Sequence, residues 1–159
     1  MVRVRIQTGP FDAQAEADRL RTDDLDVGAV VTFTGTVRDV NEGDAVGALT
    51  LEHYPGMTEK ALEAIVDEAH ARFAVRRILV IHRVGTLAPG DPIVLVAVTG
   101  AHRGEAFDAC RFVMDYLKTR APFWKKERTP AGERWVEARA SDDEAADRWE
   151  RPRAPTELA

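Results

Sequence analysis

"DYLKTRAPFWKKERTPAGERWVEA", residues 115–138, contains the end of one element and the whole of the next two. The ring of Pro122 crowds Ala121 out of the helical region, so a helix arriving from upstream stops at about Arg120. Beyond it, two short runs flank Pro130 and Gly132, residue types that set turn geometry, and the pattern reads as a hairpin. A helix that feeds straight into an antiparallel hairpin departs from the βαβ repeat of a doubly wound sheet.

The rest of the chain agrees with that departure. Upstream, the terminating helix starts at about Arg103, behind two strands, "RRILVIHRVG" and "DPIVLVAVTG", joined by the turn "LAPG". Before them Thr58 opens an amphipathic helix in which Leu62, Ile65, Val66, Ala69 and Phe73 keep helical spacing. "ALTLEHY" reads as a strand with Leu49, Leu51 and His53 on one face, "VNEGDA" as a loop, and "VGAVVTFTGTVRD" as a buried strand ending near Arg38. Val2, Val4 and Ile6 alternate with arginines as an opening strand, and Asp12 caps a short helix running to about Arg21. Strands and helices mix without regular alternation and without repeats, which places the chain in the α+β class. Residues 1–140 form one domain on this reading. Residues 141–159, with six acids, three arginines and two prolines, are expected to be an acidic, flexible tail.

A chain of 159 residues, 45% apolar and 31% charged, has the composition of an ordinary globular domain. Its opening residues lack the apolar run of a signal peptide, and no stretch approaches the 18 or so apolar residues of a membrane span. The single cysteine, Cys110, forms no intrachain disulfide, and the expected location is the cytoplasm. His53, His70, His82 and His102 lack metal-ligand spacing, so no metal and no cofactor are expected.

Charge supplies the functional signal. The chain carries a net −5, yet Lys118, Arg120, Lys125, Lys126 and Arg128 surround a single acid, Glu127. Such a reversal suits an anionic ligand, although a solvated helix end is basic as well. On the helix, Ala106, Phe107, Cys110, Val113, Met114 and Leu117 share one side, and Ala109, Phe112 and Tyr116 cover much of the other. The polar strip left over, Asp108, Arg111, Asp115 and Lys118, either reaches water, with Asp115 and Lys118 as an i,i+3 pair, or lines a pocket. Pro122 turns the chain so that Lys125 returns toward Lys118, and paired lysines can hold an anion or exchange a proton. His102 and Arg103 stand at a helix start, which either binds a phosphate or is simply solvated. Arg38 ends a strand, either as a further anion contact or as ordinary surface. Cys110, in the middle of an apolar face, reads as core. A rival reading takes the stretch from Lys118 to Arg128 as a non-catalytic patch for phosphate or RNA, against which the acidic total and small basic area both count.

Taken together, "TFTGTVRD", "LEHYPGMTEKAL", "IHRVGTLAPGD", "AHRGEAFDACRFVMDYLKTRAPFWKKE" and "WVEA" resemble the large, catalytic subunit family of molybdopterin synthase, in order from about residue 2 to residue 139. The resemblance implies an α/β-hammerhead-like domain with an additional antiparallel sheet. It implies a sulfurtransferase that turns cyclic pyranopterin monophosphate into molybdopterin. The two sulfurs come from a thiocarboxylate on the C-terminal Gly-Gly of a small ubiquitin-like partner, in a heterotetramer built on a homodimer of large subunits. By motif, Lys118 and Lys125 would be catalytic. Thr36, Val37, Arg38, His102, Arg103, Lys126 and Glu127 would complete the substrate pocket, and Arg139 would reach a neighbouring protomer's site. No nucleic acid or membrane takes part.

Overall fold

"PIVLVAVTG" is apolar without alternation, the pattern of a strand covered on both faces. In the computed structural model, which describes residues 2–41, 43–136 and 140–150, this strand, β8 (Pro92–Gly100), lies inside a four-stranded sheet. Its neighbours are β6 (Arg77–Arg83) and β2 (Ala29–Thr36), both antiparallel to it, and β1 (Val4–Gln7) extends the sheet by pairing parallel to β6. Successive side chains of a strand point to opposite faces. Val94, Val96 and Val98 accordingly meet helices α2 (Met57–Arg72) and α3 (Arg103–Arg120), while Leu95 and Ala97 join Leu20 of α1 (Ala13–Leu20) on the other face. Asp12 caps α1 by accepting a bond from the Ala15 amide at 3.0 Å.

The second sheet is antiparallel throughout. β9 (Phe123–Thr129) and β10 (Gly132–Val136) form the hairpin beyond Pro122, and β9 pairs on its other side with β5 (Ala48–His53), which carries β7 (Gly85–Leu87) at the edge. Val37, Leu49, Leu51 and Leu87 fill the small core under this sheet. The α+β class and the added antiparallel sheet are therefore both present.

Four local expectations are corrected. β2 is an edge strand, not a buried one: Val31 packs on the helix-side core while Val30 and Phe33 remain about two-fifths exposed. A β-branched run describes fit to a pleated surface and does not reveal whether one face stays open. "VNEGDA" is not a plain loop; β3 (Val40–Asn41) pairs with β4 (Asp44–Ala45) across a turn with Gly43 at φ 81°, a conformation glycine adopts without strain. Phe107, counted onto the apolar face of α3, is 59% exposed, because helical angle does not dictate whether a neighbour lies opposite.

The expected tail also folds over part of its length. Helix α4 (Ala140–Asp147) and a 3-10 turn (Arg148–Glu150) pack on α3. Ala146 is buried, and Trp149 stands edge-on to Phe73 and Phe112 at 5.6 and 5.5 Å between ring centres. The Trp149 indole donates to Asp115 at 2.7 Å, Arg72 donates to the Trp149 carbonyl at 2.6 Å, and Arg120 pairs with Glu150 at 2.6 Å. A mean composition rich in acids hid one aromatic anchor and the arginines waiting for its neighbours. Residues 151–159 lie outside the described residues.

Candidate active site

The two sheets and the C-terminal end of α3 enclose a cavity of about 330 Å³. Three segments bring the expected site residues to it. Thr36, Val37 and Arg38 enter from the end of β2, Lys118 from the last turn of α3, and Phe123, Lys125 and Glu127 from β9.

Each segment is aimed by a local device. On β2 the register shifts between Gly35 and Thr36, so one strand gains a residue on its partner and turns. Gly35 is required there, since a Cβ would stand 2.9 Å from Val94 Cγ1. Val37 is then pinned by its amide to Asp91 at 2.9 Å and by the Gly90 amide to its carbonyl at 2.7 Å. At α3, Pro122 ends the helix as the sequence implies, and Ala121 takes φ −89°, ψ 128°. The chain reverses within these two residues and brings Lys125 back to Lys118.

The period of two along β9 then divides the basic stretch. Phe123, Lys125 and Glu127 face the cavity; Lys126 and Arg128 face away. Lys126 pairs with Glu133 at 2.9 Å and lies over the Trp135 ring, and Arg128 approaches the same carboxylate at 3.8 Å. Arg120 is tied to Glu68 and Glu150 and covers the Tyr116 ring at 3.7 Å. Three of the five bases thus serve ion pairs on other surfaces. Lys126 does not line this cavity, and the continuous basic patch needed for RNA does not form. Asp115 does not simply partner Lys118, since it accepts the Trp149 indole.

Glu127 is 5% exposed, and a buried carboxylate must be paired. Asn41 donates to it at 2.6 Å and Arg134 at 3.1 Å; Arg134 also reaches the Asn41 carbonyl at 3.2 Å. Glu127 therefore clasps β3 and β10 to the cavity wall, and Arg38 leans on the same Asn41 at 3.4 Å.

His102 and Arg103 do not join this cavity. They start α3, whereas Lys118 lies fifteen residues further on, about 22 Å along the axis at 1.5 Å per residue. Arg139 lies outside the described residues. Cys110 is buried beside the Val96 carbonyl, and burial pushes its thiol up to about 11, which keeps it protonated and inert. Among the described residues no group of three His, Cys, Asp or Glu side chains could hold a metal, and no helix is long and apolar enough to cross a membrane.

Sequence reasoning missed His82, which lines the cavity stacked on Phe123 at 3.8 Å. Testing the histidines only for metal spacing passed over the available signal, an imidazole inside the apolar strand "ILVIHR" that has to be satisfied or used.

Comparison with known proteins bears on the whole arrangement. The family described as MoaE protein matches residues 6–120. A molybdopterin synthase catalytic subunit from Escherichia coli (strain K12) is 62% identical over 151 residues, covering 94% of this chain and 100% of the relative. Among solved structures, a molybdopterin biosynthesis MoaE protein from Burkholderia ambifaria is 55% identical, with a TM-score of 0.81 over 96% of this chain and 100% of its own. Molybdopterin synthase from Staphylococcus aureus superimposes with a TM-score of 0.79 at 33% identity, covering 86% of this chain and 98% of its own.

Proposed function

The chain belongs to the MoaE family, and on that premise we propose that it is the catalytic subunit of a molybdopterin synthase. In this reading it converts cyclic pyranopterin monophosphate to molybdopterin with sulfur carried on the thiocarboxylated C-terminus of a small ubiquitin-like subunit. The observation that carries the reading is the convergence of Lys118 and Lys125, from two different elements, on one walled cavity that Arg38 also enters. A phosphate and a thiocarboxylate are both anions, and fixed cations hold them without reorganising. Attack by sulfur on a pterin carbon builds negative charge, which the two ammonium groups are placed to stabilise. A lysine that loses its proton can accept one as the ring opens.

His102 and Arg103 enter the proposal differently. Within one protomer they cannot close round the ligand held by Lys118, since α3 separates them. In a homodimer of large subunits, with a small subunit on each to make a heterotetramer, they would serve a neighbour's cavity, as the resemblance assigns to Arg139. A cytoplasmic location belongs to the same reading, consistent with the unpaired Cys110. The direct test mixes the protein with thiocarboxylated small subunit and cyclic pyranopterin monophosphate. Dithiolene should appear only when all three are present. Its absence from the complete mixture would reject the reading.

A further inference from the structure

His82 sits on β6 between Ile6 of β1 and Val94 of β8, with its ring at the cavity wall. The ring is held in two ways. It stacks on Phe123 with an interplanar angle of 17°, and its Nδ1 lies 2.8 Å from the Arg83 carbonyl. A carbonyl oxygen only accepts, so Nδ1 carries the hydrogen, and in a neutral ring Nε2 is left as a lone pair. Among the described residues no donor satisfies Nε2, and none of their side-chain nitrogens or oxygens is sealed from solvent without a partner. Nε2 is therefore open to the cavity.

The surroundings keep it an acceptor. Burial, with Lys125, Lys118 and His53 as the charged or titratable side chains nearby, holds the imidazole well below its ordinary value, at about 3. It therefore stays neutral across the working pH range. Of the other acceptors on the wall, both Glu127 oxygens already take bonds from Asn41 and Arg134, and the Asp142 carboxylate comes from α4, a different element. Lys118, Lys125 and Arg38 offer donors and positive charge. A neutral ring lone pair set beside these cations sorts the ends of a ligand. The ionised cyclic phosphodiester and the thiocarboxylate have no hydrogen to give it and are repelled. A heterocycle N–H fits it.

We propose that His82 is a substrate-binding residue whose Nε2 accepts a hydrogen bond from a ring N–H of the pterin, orienting the heterocycle toward Phe123 and the anionic groups toward the lysines. This rests on the pterin reading of the site and deepens it.

The test measures binding of cyclic pyranopterin monophosphate to the intact complex with the small subunit, for wild type, His82→Phe and His82→Gln. Phenylalanine keeps a flat ring against Phe123 and removes the acceptor, so the Kd should rise about tenfold, the loss of one good hydrogen bond. Glutamine offers its carbonyl oxygen near the Nε2 position and should return the Kd to within about threefold of wild type. Inorganic sulfate, tested as a competitor with no hydrogen to donate, should bind all three alike. A second arm needs no substitution. The ¹⁵N resonance of His82 Nε2 should move toward the hydrogen-bonded position on adding the pterin and stay put on adding inorganic sulfate, an anion with no hydrogen to donate. Wild-type affinity in His82→Phe, failure of glutamine to rescue, or an unmoved Nε2 resonance at saturation would overturn the assignment. Absence of pterin binding by the wild type would instead bring down the synthase reading, and this inference with it.

Discussion

Lys125, Lys126 and Glu127 are adjacent, and the family resemblance assigns all three to the pocket, yet only the first and third face it. Strand alternation would have separated them from sequence alone, because a hairpin was already expected there. Lys118 was legible for a different reason: a polar strip on an otherwise apolar helix needs water or a pocket. If the two lysines act as electrostatic stabilisers, Lys118→Ala and Lys125→Ala should each lower synthase turnover by roughly a hundred- to a thousandfold. Thermal stability should stay near wild type, and steady-state rates beside melting curves check both. Cys110→Ala should keep full turnover and lose only modest stability through a small cavity; a folded but inactive Cys110→Ala would show that the chain's own sulfur takes part. His82 carries a pH signature as well. Its folded value, about 3, lies below the 6.5 of an unfolded histidine, so below pH 6.5 the unfolded chain binds a proton the folded one refuses. Stability should then be fully present above 6.5 and fall as pH drops toward 3, by at most roughly 1.4 kcal/mol per pH unit from this group. His70, also lowered, chiefly by burial with Arg3 contributing, adds to the same limb. Denaturant unfolding from pH 7 to 4.5 should show a shallower slope for His82→Gln than for wild type, and an unchanged slope would contradict the buried neutral imidazole.

At the scale of elements, α2, α3 and the β9–β10 hairpin were readable because periodicity, Pro122 and the Pro130–Gly132 turn all agree. The elements misread lacked such agreement. β2 shows the β-branched content of an interior strand, but its place at the edge depends on what β8 pairs with on its other side, and no local pattern encodes that. α4 is polar over most of its surface, and its attachment depends on Trp149 reaching Phe73, Phe112 and Asp115 on other elements. Trp149→Ala removes that anchor. Being partly buried, it should cost about 2–3 kcal/mol, toward the lower end of large aromatic truncations. Urea unfolding measures the loss, and a change below about 0.5 kcal/mol would mean that α4 rests on α3 without stabilising it.

Across the whole molecule, one cavity takes residues from β2, β6, α3 and β9, so no single segment of sequence spells it out. The fifteen-residue separation of Arg103 and Lys118 along α3 keeps the two ends from reaching one ligand, and the proposed dimer resolves this by sharing. Mixed dimers of Arg103→Ala and Lys118→Ala protomers should therefore regain part of the wild-type turnover, because one of their two cavities escapes both substitutions. Activity no higher than that of either variant alone would place Arg103 outside the site. The proposed partner fits the same geometry, since glycines at a chain terminus are slender enough to carry a terminal carbon between two lysines. The most direct measurement is a single turnover with cyclic pyranopterin monophosphate and small subunit bearing a labelled thiocarboxylate, run on wild type and on Lys118→Ala/Lys125→Ala. Wild type should move label into dithiolene at two sulfurs per pterin and return the partner as its carboxylate, while the double variant binds the partner and leaves the label on it. Equal transfer by both proteins would contradict the assignment of this cavity as the place where sulfur meets the pterin.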